Sequence, residues 1–256
     1  MRQLVAFTKK EFVEAWRTSK FMILIIVFGL LGIMNPAIAK LTPWLMETFS
    51  DSLKEQGMVI SEVAVDAMSS WGQYSKNVPM GLIVFLLIFS GILANEFQKG
   101  TLINVITKGL KRRNVIVAKT LVMLVLWTLN YWMCFGITYV YNEYFWDNSV
   151  ASHIVFSAFC SYMLGVWLIM VLIFVSTLVT TSAMVCVGTG AVFFIFYVIN
   201  IVPDLKKFLP TKLIESSGLL TGSGEPKDYL CSLMIVVIMS IVLFVASIIT
   251  FNKKKV

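Results

Sequence analysis

The sequence predicts an all-α integral membrane protein with six transmembrane helices, preceded by an amphipathic helix at the membrane interface. Two observations support this fold class. Of the 256 residues, 58% are hydrophobic and only 14% are charged, which departs strongly from the composition of soluble domains. The apolar residues also fall into six runs, each close to the length of about 20 residues that a helix needs to cross a bilayer.

The six predicted spans are separated by polar segments. They are expected at about residues 21–39, 78–94, 115–139, 154–178, 183–202 and 229–251. Proline lacks a backbone donor and bends a helix, so the first span is expected to kink at Asn35 and Pro36. Pro79 lies in the first turn of the second span, where proline is tolerated.

The segment 1–20 is too polar to span a membrane but has an apolar face. On a helical wheel this face carries Leu4, Val5, Phe12, Ala15 and Trp16. Charged residues occupy the opposite face, and Phe7 does not fit the pattern. The segment is therefore predicted to lie in the membrane interface, with Trp16 at the depth of the headgroups.

The distribution of Lys and Arg predicts the orientation of the chain. Both ends of the chain and the segment 95–114 are basic, whereas the predicted external loops 40–77 and 140–153 are acidic. The third external loop, 203–228, fits less well, because its four Lys are balanced by four acids. By the positive-inside rule, both termini are expected on the cytoplasmic side of the cell membrane.

Several classes of function lack the residues they need. The chain has one His and four Cys, without the spacing of a metal site, and it has no Gly-Lys-Ser/Thr phosphate loop. We therefore expect no enzyme activity, metal, cofactor or nucleic-acid binding. Charged residues are nearly absent from the span interiors, which argues against an ion-coupled secondary carrier. Asn35, Asn130 and Asn200 could line a substrate path or bond helix to helix, and both interpretations stay open.

The most informative stretch is 96–119, which contains six of the 21 Lys and Arg residues. Its apolar residues Leu102, Val105, Ile106 and Leu110 recur at helical spacing. Four of its basic residues are expected to face anionic headgroups, each contributing about 1 kcal/mol to membrane binding. They are Lys111, Arg112, Arg113 and Lys119. A short amphipathic helix between the second and third spans is predicted, and a basic loop that only sets orientation is the simpler alternative.

This stretch resembles the signature of ABC-2 type transporter permeases. The resemblance rests on Glu96, the run Gly100, Thr101, Leu102, the run Val105, Ile106, Thr107, and the later Arg112 and Lys119. In that family an acidic residue leads into a Gly-Thr-Leu helix, a basic turn and a lysine that opens the third span. Gly109 stands where the family often has proline. The layout of an interfacial helix followed by six spans also fits.

The resemblance implies a function and a set of partners. Residues 100–110 would form a cytoplasmic coupling helix that docks on a separate ATP-binding subunit, with Glu96 beside its start. Two such permeases, identical or paralogous, would pair with two ATP-binding chains and export a hydrophobic or amphipathic substrate. The alternatives are a secondary carrier, and an immunity or scaffold protein that binds its ligand without transport.

Overall fold

The computed structural model describes residues 2–48, 66–102, 107 and 109–254. All regular structure in these residues is helical, and six helices are long and apolar enough to cross a membrane. The predicted fold class, an all-α membrane protein with six spans, is thereby confirmed.

Ten α-helices and two short 3-10 helices follow one another in the described part of the chain. The α-helices are α1 (Arg2–Arg17), α2 (Lys20–Thr48), α3 (Ala67–Phe89), α4 (Ala94–Gln98), α5 (Arg112–Phe145), α6 (Ile154–Leu178), α7 (Ser182–Ile199), α8 (Pro203–Lys206), α9 (Ser217–Leu220) and α10 (Lys227–Lys253). The 3-10 helices are Asn148–Val150 and Pro210–Ser216. Helices α2, α3, α5, α6, α7 and α10 are the candidate spans, with α4 continuing α3 after a turn.

Two helices extend beyond the spans predicted for them. Helix α2 continues through Pro36 to Thr48 instead of ending at residue 39, and α3 begins at Ala67 instead of residue 78. The missing donor of Pro36 frees the carbonyl of Gly32, four residues earlier. The hydroxyl of Thr138 on α5 donates to that carbonyl at 3.1 Å. A neighbouring helix thus replaces the bond that proline removes.

Contacts between distant residues define two ends of the helix bundle. At one end, which we call the terminal end, the ammonium of Lys254 donates to the carbonyl of Thr177 at 2.9 Å. The N-terminus of α5 lies at this end as well, because Arg112 donates to the carbonyl of Phe251. At the opposite end, the loop end, the indole of Trp71 donates to Asn148 at 3.0 Å. Adjacent spans therefore run antiparallel.

Helix α6 lies at the centre of the bundle, and α7 lies at its edge. In the most apolar 18-residue stretch of each helix, 67% of the residues of α6 are buried but only 11% of those of α7. The core around α6 is aromatic, with Trp127, Tyr131 and Trp167 fully buried. Gly165 leaves room for the indole of Trp127, since a Cβ there would lie 2.2 Å from a ring carbon.

We expect Gly165→Ala to destabilise the protein although alanine favours helix formation. The added methyl group overpacks the site against Trp127, which costs about 1–3 kcal/mol. Gly136→Ala in α5 is the matched control, because a Cβ there meets nothing within 4 Å. Thermal unfolding in detergent should give a lower midpoint for Gly165→Ala and an unchanged or higher one for Gly136→Ala. Equal midpoints would contradict the packing argument.

Candidate functional site

The connection between α3 and α5 turns sharply at two glycines. Helix α4 ends at Gln98, and Gly100 follows with φ 65°. Gly109 has φ 91° shortly before α5. Both angles lie in the left-handed region, which glycine adopts without a steric penalty. Proline, with φ fixed near about −65°, could not occupy position 109 in this conformation.

The predicted coupling helix is described only in part. Thr101 and Leu102 are helical, whereas Val105 and Ile106 lie outside the described residues. Leu102 is 2% exposed and belongs to the core of the bundle. It therefore anchors the segment instead of forming the exposed docking face predicted for it. Leu110 is half-buried and also packs against the core.

Glu96 belongs to a partly buried cluster of charges that joins three helices. The ammonium of Lys119, on α5, lies 2.8 Å from Glu11 of α1 and 3.2 Å from Glu96 of α4. Lys10 contacts Glu11 at 3.0 Å, Glu14 at 2.8 Å and Glu96 at 3.2 Å. We call these five residues the ion cluster. They tie α1 and the connection to the third span.

The position of Lys119 corrects a prediction. Its side chain is 2% exposed, so it does not face lipid headgroups. Arg112 is half-buried, and its guanidinium donates to the carbonyls of Phe251, Asn252 and Lys254. These carbonyls lack partners within the last turn of α10, and a cation stabilises the negative end of a helix. Lys111 and Arg113 are exposed, and their contact with headgroups stays a prediction.

The charges of the ion cluster stabilise one another. Burial by itself would lower the pKa of Lys10, but its hydrogen bond to Glu14 and the charges of Glu11 and Glu96 outweigh this effect and raise the pKa. Burial would raise the pKa of Glu14, yet the bond from Lys10 lowers it. Both groups therefore stay charged near neutral pH. Carboxylate oxygens of Glu11, Glu14 and Glu96 lie within 4.8 Å of one another, and the two ammonium groups between them make the cluster an ion-pair network.

Helix α1 contributes Glu11 through a face that the helical wheel did not predict. Phe7, Glu11 and Ala15, spaced by four residues, are buried, and α1 packs against α5. Val5 and Trp16, assigned to the apolar face, are 67% and 60% exposed. Phe7, which did not fit the wheel, has its ring 5.9 Å from the ammonium of Lys119. The spacing of Glu11, four residues from both Phe7 and Ala15, was the signal in the sequence that pointed to this second face.

The three asparagines do not form one polar path. Asn35 is fully buried, donates to Thr138 at 2.9 Å and accepts from Asn77 at 2.7 Å. It therefore bonds α2 to α3 and α5, which is the helix-to-helix interpretation of this residue. Asn130 is buried and donates to the carbonyl of Leu126 within its own helix. Asn200 lies at the loop end, just after α7, and donates to Glu215 at 3.2 Å.

Comparisons with known proteins agree with the membrane fold. No family model matches the chain. The chain is 22% identical over 241 residues to the uncharacterized transmembrane protein YxlG of Bacillus subtilis (strain 168), and the similarity covers 90% of this chain and 89% of that protein. Together with the six apolar helices, this similarity indicates a multi-pass membrane protein.

We expect Lys119→Met to destabilise the protein by about 3–5 kcal/mol, the cost of removing one partner from a buried ion pair. The substitution leaves Glu11 and Glu96 buried with Lys10 as their shared cation. Arg113→Met is the control, because Arg113 is exposed in the same helix. Thermal unfolding in detergent should separate the two variants by several degrees.

The double variant Glu11→Gln with Lys119→Met tests whether the effect is electrostatic. It removes one acid and one base, so the net charge of the ion cluster is restored. Compared with both single variants, we expect the double variant to be less destabilised than the sum of the two single substitutions, by a coupling energy of roughly 0.5–3 kcal/mol. Additive effects of the two substitutions would contradict a direct interaction between these side chains.

Proposed function

We propose that the chain is the permease subunit of an ATP-driven ABC transporter of the ABC-2 type. It exports a hydrophobic or amphipathic substrate across the cell membrane and is powered by separate ATP-binding subunits. Two permeases, identical or paralogous, pair with two ATP-binding chains. Both termini and the connection between α3 and α5 lie in the cytoplasm, which the basic residues of these segments favour.

The observation that carries this proposal is the ion cluster beneath the signature-like segment. A motor outside the membrane can move spans only through a stiff element attached to them. Glu96 and Leu102 anchor the connection on both sides of Gly100, through the buried pair with Lys119 and through core packing. A basic loop that only set orientation would need neither contact.

The exposed part of the connection is the docking surface in this proposal. Thr101 is exposed beside the buried Leu102, so the turn presents Thr101 outward while Leu102 holds it to the bundle. Lys99 is exposed next to it. From the sequence, Ile106 continues the apolar pattern of the docking face. An ATP-binding subunit would contact these residues without displacing the core.

The test is purification of the tagged chain from its native membranes. We expect an ATP-binding subunit to co-purify. Thr101→Trp and Ile106→Asp should each lower its amount at least about tenfold, equivalent to roughly 1.4 kcal/mol. Val150→Trp, at an exposed position of the loop end, is the control and should leave the association unchanged.

Two results would contradict the proposal. One is a stable chain from which no ATP-binding subunit co-purifies. The other is an association that neither Thr101→Trp nor Ile106→Asp weakens. The first result would favour the immunity or scaffold alternative, in which the chain binds its ligand without a motor, and the second would exclude this connection as the docking surface.

A further inference from the structure

A long apolar trough opens on the side of the bundle between α3, α6 and α7. Its volume is about 410 Å³, within the range of about 300–1,000 Å³ that is usual for small-molecule sites. Leu82 of α3 and Leu168 and Leu172 of α6 form its buried floor, and Phe193 of α7 lines it as well. The trough belongs neither to the ion cluster nor to the connection between α3 and α5.

The trough has the length of one membrane leaflet. Along α7 it extends from Cys186 to Tyr197, which corresponds to roughly 16 Å at about 1.5 Å per residue. The hydrocarbon core of a bilayer is about 30 Å thick, so each leaflet contributes about half of that. Cys186 lies one turn after the start of α7 and Tyr197 two residues before its end, so the trough begins on the terminal side of the middle of α7 and reaches nearly to the loop end.

A polar mouth adjoins the trough at the loop end. This second cavity, of about 440 Å³, shares Tyr197 and Ile214 with the trough. Lys206 and Glu215 line it and form an ion pair of 2.6 Å, each being about two-fifths exposed. Asn200 lines it too, and its buried carbonyl oxygen has no hydrogen-bond partner among the described residues.

We propose that the trough and its mouth bind one zwitterionic phospholipid, with an acyl chain in the trough and the headgroup between Lys206 and Glu215. The lipid phosphate pairs with Lys206 and the lipid ammonium with Glu215, so each protein charge exchanges its present partner for one of the ligand. Asn200 accepts a hydrogen bond from the ammonium. The lipid enters sideways from the bilayer, because the rim residues Ile83 and Leu87 are exposed.

Charge and length together favour this occupant. A headgroup with a single negative charge would satisfy Lys206 and leave Glu215 facing a like charge, which is unfavourable. A soluble apolar molecule would fill the trough without using the mouth. Binding of the lipid needs neither a partner chain nor ATP. It can therefore be tested independently of the proposed transport function.

The test uses the purified full-length chain in vesicles of phosphatidylethanolamine and phosphatidylglycerol. A small fraction of the phosphatidylethanolamine carries a photoactivatable diazirine on its acyl chain, and crosslinked peptides are mapped by mass spectrometry. We expect crosslinks to concentrate on α3, α6 and α7, and Gly190→Trp to reduce them at least about fivefold. Gly190 lines the trough, and a Cβ there meets nothing within 4 Å. Gly136→Trp, equally unobstructed in α5, should label as the unmodified chain does.

A second arm tests the headgroup. Phosphatidylethanolamine and phosphatidylglycerol probes with the same diazirine chain are compared on the double variant Lys206→Gln, Glu215→Gln. We expect the unmodified chain to prefer the zwitterionic probe and the double variant to label equally with both. Lys207→Gln, at an exposed neighbouring position, should keep the preference. This arm decides the proposal even where Gly190→Trp does not fold.

Three results would overturn the proposal. Even labelling of all exposed helix faces, unaffected by Gly190→Trp, would mean that lipids only coat the protein. Equal labelling by both probes on the unmodified chain would exclude recognition of a zwitterionic headgroup. Protection of the trough together with crosslinks between the α7 helices of two copies would mean that a second copy of this chain fills it.

Discussion

The buried contact of Lys119 with Glu11 and Glu96 determines how the terminal end of the bundle is assembled. Removing a charge from water is costly unless its partners are in place. The ammonium therefore holds α1, α4 and α5 together, since moving α4 away would leave Glu96 unpaired and moving α5 away would leave Lys119 unpaired. Lys10 adds a second ammonium that contacts both acids from the more exposed side.

Helix α5 contacts other helices along the whole depth of the bundle. Near its start Arg112 bonds to the carbonyl end of α10, and at its middle Trp127 fills the space left by Gly165 of α6. Towards the loop end Thr138 accepts from Asn35 and donates to the carbonyl freed by Pro36. One continuous helix thus contacts α1, α2, α6 and α10 at different depths.

The two proposed sites share one span. Helix α3 forms a wall of the apolar trough, and α4, which continues it after a turn at residues 90–93, contributes Glu96 to the ion cluster. A partner that pushed on the connection would act on the trough through this single element. The weakly packed α7 forms the opposite wall, so the width of the trough depends on the less constrained of its two sides.

The sequence by itself determined the number of membrane-spanning helices. Spanning a bilayer requires only a sufficient run of apolar residues, which is a local property. Gly100 was also predictable, since few other residues adopt its backbone conformation. The sequence could not determine whether Lys119 and Arg112 face headgroups or protein, which face of α1 is buried, or that Leu102 is buried in the core. A lysine at the start of a span has the same local pattern in either environment. Only tertiary packing, which brings Glu11 from more than a hundred residues away to 2.8 Å, decides whether its charge is neutralised by the protein or by the membrane.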